Sequence, residues 1–330
     1  MPTIKDVAAK AGVTVTTVSR VLNNRGYISE LTKSKVYHAM EELDYRPNEV
    51  ARSLSKQQTN CIGVILPSAE HPFFCKALHW FEHYASLQGY KVMVCVSQDQ
   101  RQKELEYIDL LRSNRVGGII LCTRRGDFGT GLETKFPIVT FEREIAKDIS
   151  SVQCDNFQGG RLAAECLLNA GCRQVAIFTR ASRESLPADL RTDGFLKECS
   201  EQGVQGQVVC VNKKEYNEFY DEDHILERLQ GNPGIDGIFA TSDVMAAQIL
   251  RVCAKLGKRI PGDISLVGFN DVNIARLTHP ALTTIHQPVE EMCEYAVDMI
   301  IKKANKETIP SKVVLPVKLI ERESVSQFSK

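Results

Sequence analysis

From residue 61 to residue 321, short apolar runs alternate with stretches of helical period, and this rhythm leaves few architectures open. Residues 61–66, 91–96, 116–122, 138–141, 151–154, 174–178, 207–211, 237–240 and 264–267 read as buried strands. Between them, 73–88, 102–114, 158–170, 190–202, 223–230 and 244–256 read as helices. Strands roughly 25–30 residues apart with helices between them imply an α/β fold of parallel, doubly wound sheets. There are too many strands for one small sheet, so the expectation is two lobes, with a ligand site where the carboxyl ends of their strands face each other. The helix 288–305 and the strands 313–316 and 318–321 are expected to complete the last lobe.

The first 58 residues follow a different pattern. Ile4, Val7, Ala8 and Ala11 recur at helical spacing, Gly12-Val13 interrupts, and the apolar positions resume at Val18, Val21 and Leu22. Two short helices joined by a glycine-containing turn are the pattern of a helix-turn-helix, whose second helix enters the major groove of DNA; ordinary core-and-surface patterning of a helix pair is the plainer alternative. A third helix reads through Val36, Met40 and Leu43, with Ser29 as its N-cap. Pro47 then opens a short helix that carries arginines and ends on Leu54, with no face long enough to be stable by itself.

The net charge of the chain is zero, so no global field draws it to nucleic acid. Its distribution is uneven. Residues 1–58 hold nine cations (Lys5, Lys10, Arg20, Arg25, Lys33, Lys35, Arg46, Arg52, Lys56) against six anions (Asp6, Glu30, Glu41, Glu42, Asp44, Glu49), leaving +3 there and −3 elsewhere. Eleven scattered cysteines without Cys-x-x-Cys or zinc-ligand spacing suit a reducing compartment. No signal peptide is visible and no apolar run is long enough to span a bilayer, so a cytoplasmic protein is expected. His79 and His83 are four apart but lack a third ligand nearby, and they read as surface residues. No phosphate loop, dinucleotide fingerprint or nucleophile–base pair occurs, which points away from an enzyme, and no cofactor is expected.

Ile4-Lys5-Asp6-Val7-Ala8-x-x-Ala11-Gly12-Val13, Thr17-Val18-Ser19-Arg20-Val21-Leu22-Asn23 and Tyr45-x-Pro47-Asn48-x-x-Ala51-Arg52-x-Leu54 resemble the headpiece and hinge of the lactose/galactose repressor family. The resemblance runs in register over nearly the whole chain. It implies a headpiece over 1–46, a hinge helix and linker over 47–58, and an effector-binding and dimerisation core over 59–330. That core is periplasmic-binding-protein-like, with the chain crossing between lobes near Asn156, Val244 and Ile285. By position in the family motif, Val15, Thr16 and Arg20 face base edges. Thr3, Thr14, Thr17, Ser19, Asn23, Tyr27, Ser29 and Thr32 match positions that hold phosphates; the plainer alternative is that the threonines cap helices.

Leu54 matches the leucine that wedges into the minor groove, alongside Asn48, Ala51 and Arg52. One kink needs two hinges, so the resemblance implies a homodimer on palindromic operator DNA. No leucine-heptad tail follows Glu321, which favours a dimer over a tetramer. For the effector, the family positions are Phe73, Glu142, Arg143, Asp155, Arg191, Tyr216, Ser242 and Asn270. Phe73 could equally pack its helix on the sheet, and Asp155 is as much a turn residue as a ligand contact. Asn270 departs from the aspartate that many relatives carry, so the cleft loses one charge-assisted bond. Within the family the core looks most similar to the sucrose-operon and related sugar regulators. The implied function is a repressor whose operator affinity is set by a sugar or sugar phosphate. A purine-type or protein corepressor, and a sugar-binding transport component, are the alternatives.

Overall fold

The computed structural model describes residues 2–22, 26–46, 59–123, 136–146, 148–180, 187–211 and 222–326. The chain divides into two compact units, Met1–Thr59 and Asn60–Lys330. The first holds α1 (Ile4–Ala11), α2 (Val15–Leu22) and α3 (Glu30–Glu42). Each starts on a capped turn. Thr3 and Asp6 form a reciprocal capping box on α1, Thr14 accepts the Thr17 N–H at 3.1 Å, and Ser29 accepts the Thr32 N–H at 3.3 Å. Gly12 ends α1 in the left-handed region (φ +67°), which lets the chain reverse into α2. Val7, Ala8, Val18, Val21, Val36 and Ala39 are buried together between the three helices.

In the second unit, a first lobe is built on six parallel strands in the order β11-β5-β4-β3-β1-β2. They are β1 (Cys61–Leu66), β2 (Lys91–Val96), β3 (Gly118–Leu121), β4 (Ile138–Phe141), β5 (Ser150–Cys154) and β11 (Lys312–Leu315). α4 (Pro72–Leu87), α5 (Arg101–Ser113) and α11 (Val289–Ala304) cover this sheet. A second lobe is built on the order β12-β10-β9-β8-β6-β7. Its strands are β6 (Val175–Arg180), β7 (Gln207–Val211), β8 (Gly237–Ala240), β9 (Ser265–Asn270), β10 (Thr283–His286) and β12 (Lys318–Ile320). Only the β10–β12 pair of this sheet is antiparallel. α6 (Asn156–Asn169), α7 (Leu190–Glu201), α8 (Glu222–Gly231), α9 (Asp243–Lys255) and the short α10 (Ile274–Leu277) flank it. The strands read as continuous apolar runs because both faces of each parallel sheet are covered.

The chain passes between lobes after Cys154, after His286, and between Leu315 and Lys318. Two expectations need correction. Val244 marks no crossing: it lies in α9, between β8 and β9 of one sheet. The helix expected to finish the last lobe instead returns to the first, where α11 packs on α4, β3, β4 and β5 and β11 pairs with β5. Periodicity names an element but carries no address for it, and β10, a four-residue run of Thr283, Thr284, Ile285 and His286, gave too weak an alternation to be read.

Two helices approach unusually closely. A Cβ on Gly160 of α6 would lie 2.0 Å from the Arg191 carbonyl oxygen, and one on Gly194 of α7 would lie 2.0 Å from that of Phe157. Both positions therefore require glycine, and the pair of them sets where Arg191 enters the space between the lobes.

Candidate nucleic-acid interface and inter-lobe cleft

In the first unit, helical phase sorts α2 into two faces. Val18 and Val21 enter the core, while Val15, Thr16 and Arg20 are exposed and Ser19 and Thr17 are half-buried. Val15, Thr16, Ser19 and Arg20 thus form one solvent-facing surface, offering a methyl pair, two hydroxyls and a guanidinium. These are the groups that read thymine methyls and guanine edges. Arg20 lies over Gly26, whose φ is +71° and whose Cβ, if present, would come within 2.4 Å of an Arg20 nitrogen. Gly26 is a residue that sequence reasoning passed over, and the positive φ it needs was the available signal.

Tyr27 is 93% exposed. Thr3, Thr14 and Ser29 occupy the N-caps of α1, α2 and α3, and Thr32 supports the last with a 2.9 Å hydroxyl contact to Ser29. Three of the hydroxyls expected at phosphates, those of Thr3, Thr14 and Ser29, are thus helix caps in the structure. Asn23, Asn48, Ala51, Arg52 and Leu54 lie outside the described residues, as does Tyr216.

In the second unit, residues that follow the carboxyl ends of β4, β5, β8, β9 and β10 converge between the lobes, where doubly wound sheets place their ligand sites. Arg191 is at the centre. Its Nε donates to Asn156 Oδ1 at 2.7 Å and its Nη1 to the Thr241 carbonyl at 2.8 Å. Its Nη2 stands 3.7 Å from Glu142 Oε2, and its guanidinium carbon lies 3.6 Å over the Phe269 ring. Glu142 accepts the Cys154 N–H at 2.6 Å and the Asn156 amide N–H at 3.2 Å. Glu142 belongs to the first lobe and Arg191 to the second, so this network ties the two together. Arg191 is 8% exposed, and a guanidinium so placed offers rigid, directional donors.

The other expected contacts are distributed differently. Phe73, 6% exposed, packs against Phe74 and Phe141 in the core of the first lobe, which favours its packing role. Arg143 is 1% exposed, and of the Glu142-Arg143 pair it is Glu142 that faces Arg191. Asp155 caps α6 through the Gln158 N–H at 2.9 Å, and Ser242 caps α9 through the Met245 N–H at 3.2 Å. Asn270 is buried, with φ +111°.

In the pairs Asp155-Asn156, Ser242-Asp243 and Asn270-Asp271, the second residue makes the long-range bonds. Asn156 joins Glu142 to Arg191. Asp243 accepts from Thr284 Oγ1 at 2.5 Å and from the Val272 N–H at 2.9 Å, and burial pushes its carboxyl up to about 7 against those bonds. Burial also raises Asp271, but hydrogen bonds from His286 and Arg322 outweigh it and hold the carboxyl well below the usual range. Gln287 was not foreseen at all. Fully buried at the second crossing, it donates to the Cys154 sulfur at 3.0 Å, and its Oε1 has no hydrogen-bond partner among the described residues. The strand before it, β10, was not legible in the sequence, so nothing local marked this glutamine.

Among the described residues no cluster of side chains could hold a metal ion, and no helix is long and apolar enough to cross a membrane.

Comparison with known proteins accords with this arrangement. Residues 3–48 match bacterial regulatory proteins of the lacI family, and residues 164–325 match the periplasmic binding protein-like domain. The chain is 36% identical to the ribose operon repressor of Halalkalibacterium halodurans, over 98% of this chain and 97% of that one. It is 35% identical to the sucrose operon repressor of Lactococcus lactis subsp. lactis, over 96% and 98%. The crystal structure of the lac repressor dimer bound to operator and the anti-inducer ONPF is similar at a TM-score of 0.84 and 25% identity, covering 98% of each chain. With headpiece motif, two-lobed core and end-to-end similarity all in hand, the chain belongs to the lacI family of bacterial regulatory proteins.

Proposed function

We propose that this protein is a transcriptional repressor that binds a palindromic operator as a homodimer and releases or grips it according to a sugar held between the lobes. The observation that carries the effector half is the Glu142–Asn156–Arg191 network, a carboxylate, an amide and a guanidinium brought to one place by the ends of β4 and β5 in the first lobe and the start of α7 in the second. Such groups are the partners of sugar hydroxyls, and the buried Gln287 Oε1 is an acceptor that an entering hydroxyl would satisfy. Glu142 balances the charge of Arg191, which favours an uncharged sugar over its phosphate ester. The relatives named for ribose and sucrose operons support the same class of ligand.

For the DNA half, Val15, Thr16 and Arg20 read bases from the exposed face of α2, while the capping hydroxyls Thr3, Thr14 and Ser29 and the exposed Tyr27 hold the backbone. Segment 47–58 serves as the hinge that joins a 1–46 headpiece to a 59–330 core. A ligand that binds one lobe arrangement better than the other shifts the equilibrium between them, and the operator affinity follows by linkage.

The test is fluorescence anisotropy of full-length protein on a labelled palindrome from the gene's own upstream region, titrated with ribose, sucrose, their phosphates and purine bases. Release of the operator by an uncharged sugar is the expected result. Binding that appears only with an added purine makes the protein corepressor-dependent, and no binding under any condition overturns the proposal.

A further inference from the structure

A knot of charge at the carboxyl ends of β9 and β10 is not used by the network around Arg191. The Asp271 side chain is almost wholly buried and receives Arg322 Nη2 at 2.5 Å, with His286 Nδ1 at 2.9 Å and Arg276 Nη2 at 3.9 Å. All of these belong to the second lobe or to the crossings that leave it. One partner does not. Lys76 sits on α4 of the first lobe, and its Nζ donates to the Asp271 carbonyl at 3.2 Å.

The segment held in this way is strained. Asn270 and Asp271 both have positive φ, +111° and +52°, which non-glycine residues adopt only where the surroundings enforce it. The enforcement comes at three points. Arg322 and His286 take the Asp271 carboxylate, Asp243 takes the Val272 N–H at 2.9 Å, and Lys76 takes the Asp271 carbonyl. The first two are internal to the second lobe and persist however the lobes are oriented. The third exists only while the first lobe stands close. Lys76 is half-buried, and burial lowers its pKa, with Arg276 acting in the same direction and Asp271, Asp243 and Glu290 opposing.

We propose that Lys76 is a positioning residue through which the first lobe holds the Asn270–Val272 strap of the second, so that lobe orientation sets the backbone conformation of Asn270. The consequence for ligand binding rests on the effector role proposed above for the cleft. The hold on the strap does not, and the two are measured separately.

The test uses full-length Lys76→Met, which keeps the aliphatic stem, and Lys76→Arg, which keeps a cationic donor. Hydrogen exchange by mass spectrometry on ligand-free protein reads the strap directly, because the Val272 amide donates to Asp243 and the Ala275 and Arg276 amides just after it donate to the Val272 and Asn273 carbonyls. Lys76→Met is expected to speed exchange in the 270–276 peptide by about tenfold, with β1 and β8 unchanged and Lys76→Arg close to wild type. Unchanged exchange in that peptide, or a uniform increase over both lobes, overturns the proposal. In a second arm, ribose and sucrose are titrated into the operator complex. Lys76→Met is expected to move the sugar midpoint by about tenfold, with recovery in Lys76→Arg. A loosened strap with an unmoved midpoint overturns the coupling to Asn270. A wild-type protein that answers to no sugar refutes the proposed function, and the exchange arm then decides the role of Lys76 unaided.

Discussion

Replacing Arg191 by lysine keeps the charge of the cleft and removes its geometry. The guanidinium makes two hydrogen bonds at 2.7 and 2.8 Å, faces Glu142 at 3.7 Å and covers the Phe269 ring. A lysine ammonium on a similar stem can reach Asn156 Oδ1 or the Thr241 carbonyl, but not both. One buried acceptor is left open, at about 1.5–3 kcal/mol for a hydrogen bond to a charged group. Loss of the stacked guanidinium adds about 0.5–1 kcal/mol. Glu142 keeps a cation nearby, so the larger cost of about 3–5 kcal/mol for stranding a buried charge is avoided; that cost is expected of Arg191→Met. Arg191→Lys should therefore destabilise the core by about 3 kcal/mol, lowering its melting temperature by roughly 5–10 °C. It should also raise the sugar concentration needed for operator release by about 100-fold. Scanning calorimetry and the anisotropy titration measure the two effects. A melting temperature within about 1 °C of wild type, together with an unchanged sugar midpoint, would refute the account of Arg191 as the centre of the inter-lobe network.

Asp243 makes stability depend on pH. Its carboxyl titrates at about 7 in the folded protein against an ordinary value near 3.8, so the folded state holds a proton that the unfolded chain has already released. Stability should fall as pH rises through that window, by about 2–3 kcal/mol between roughly pH 5 and pH 7.5. Asp243→Asn should flatten this slope in urea titrations at the two pH values. Gly160→Ala forces a Cβ to 2.0 Å from the Arg191 carbonyl and should cost about 3 kcal/mol or more in urea midpoint, whereas Gly231→Ala, with nothing within 4 Å, should be neutral or slightly stabilising. In the headpiece, Thr14→Ala should lose about 1 kcal/mol of stability with the α2 cap, as well as operator affinity. Thr16→Ala, exposed and outside any cap, should stay within about 0.5 kcal/mol by thermal melting while weakening operator binding. Equal behaviour of these two threonine variants would contradict the division of α2 into a structural start and a reading face.

Local rules were enough for the elements themselves. The α2 faces, the Ser29 cap and most strands of both sheets follow from side-chain period and turn chemistry, which act over a few residues and leave their mark in the order of the chain. Glu142 stands out as a charge directly after the apolar run 138–141, whereas Arg191, among polar neighbours, was singled out only by its match to a family position. Long-range partners leave no such mark. Which sheet receives β11 depends on its pairing with β5, some 160 residues earlier in the chain, and no local signal encodes it. Which member of a polar pair faces its neighbours depends on the turn at a strand end, so Asp155 and Ser242 became caps while Asn156 and Asp243 made the bonds across the fold. Phe73 and Arg143 went inward for a related reason: burial is settled by what packs against a residue from elsewhere, as Phe141 does against Phe73. The sequence by itself determined a three-helix headpiece and an alternating α/β core with charged residues at strand ends. Tertiary structure alone decided that α6 and α7 meet backbone to backbone at Gly160 and Gly194 and that Lys76 reaches Asp271, because both contacts depend on the packing of whole elements.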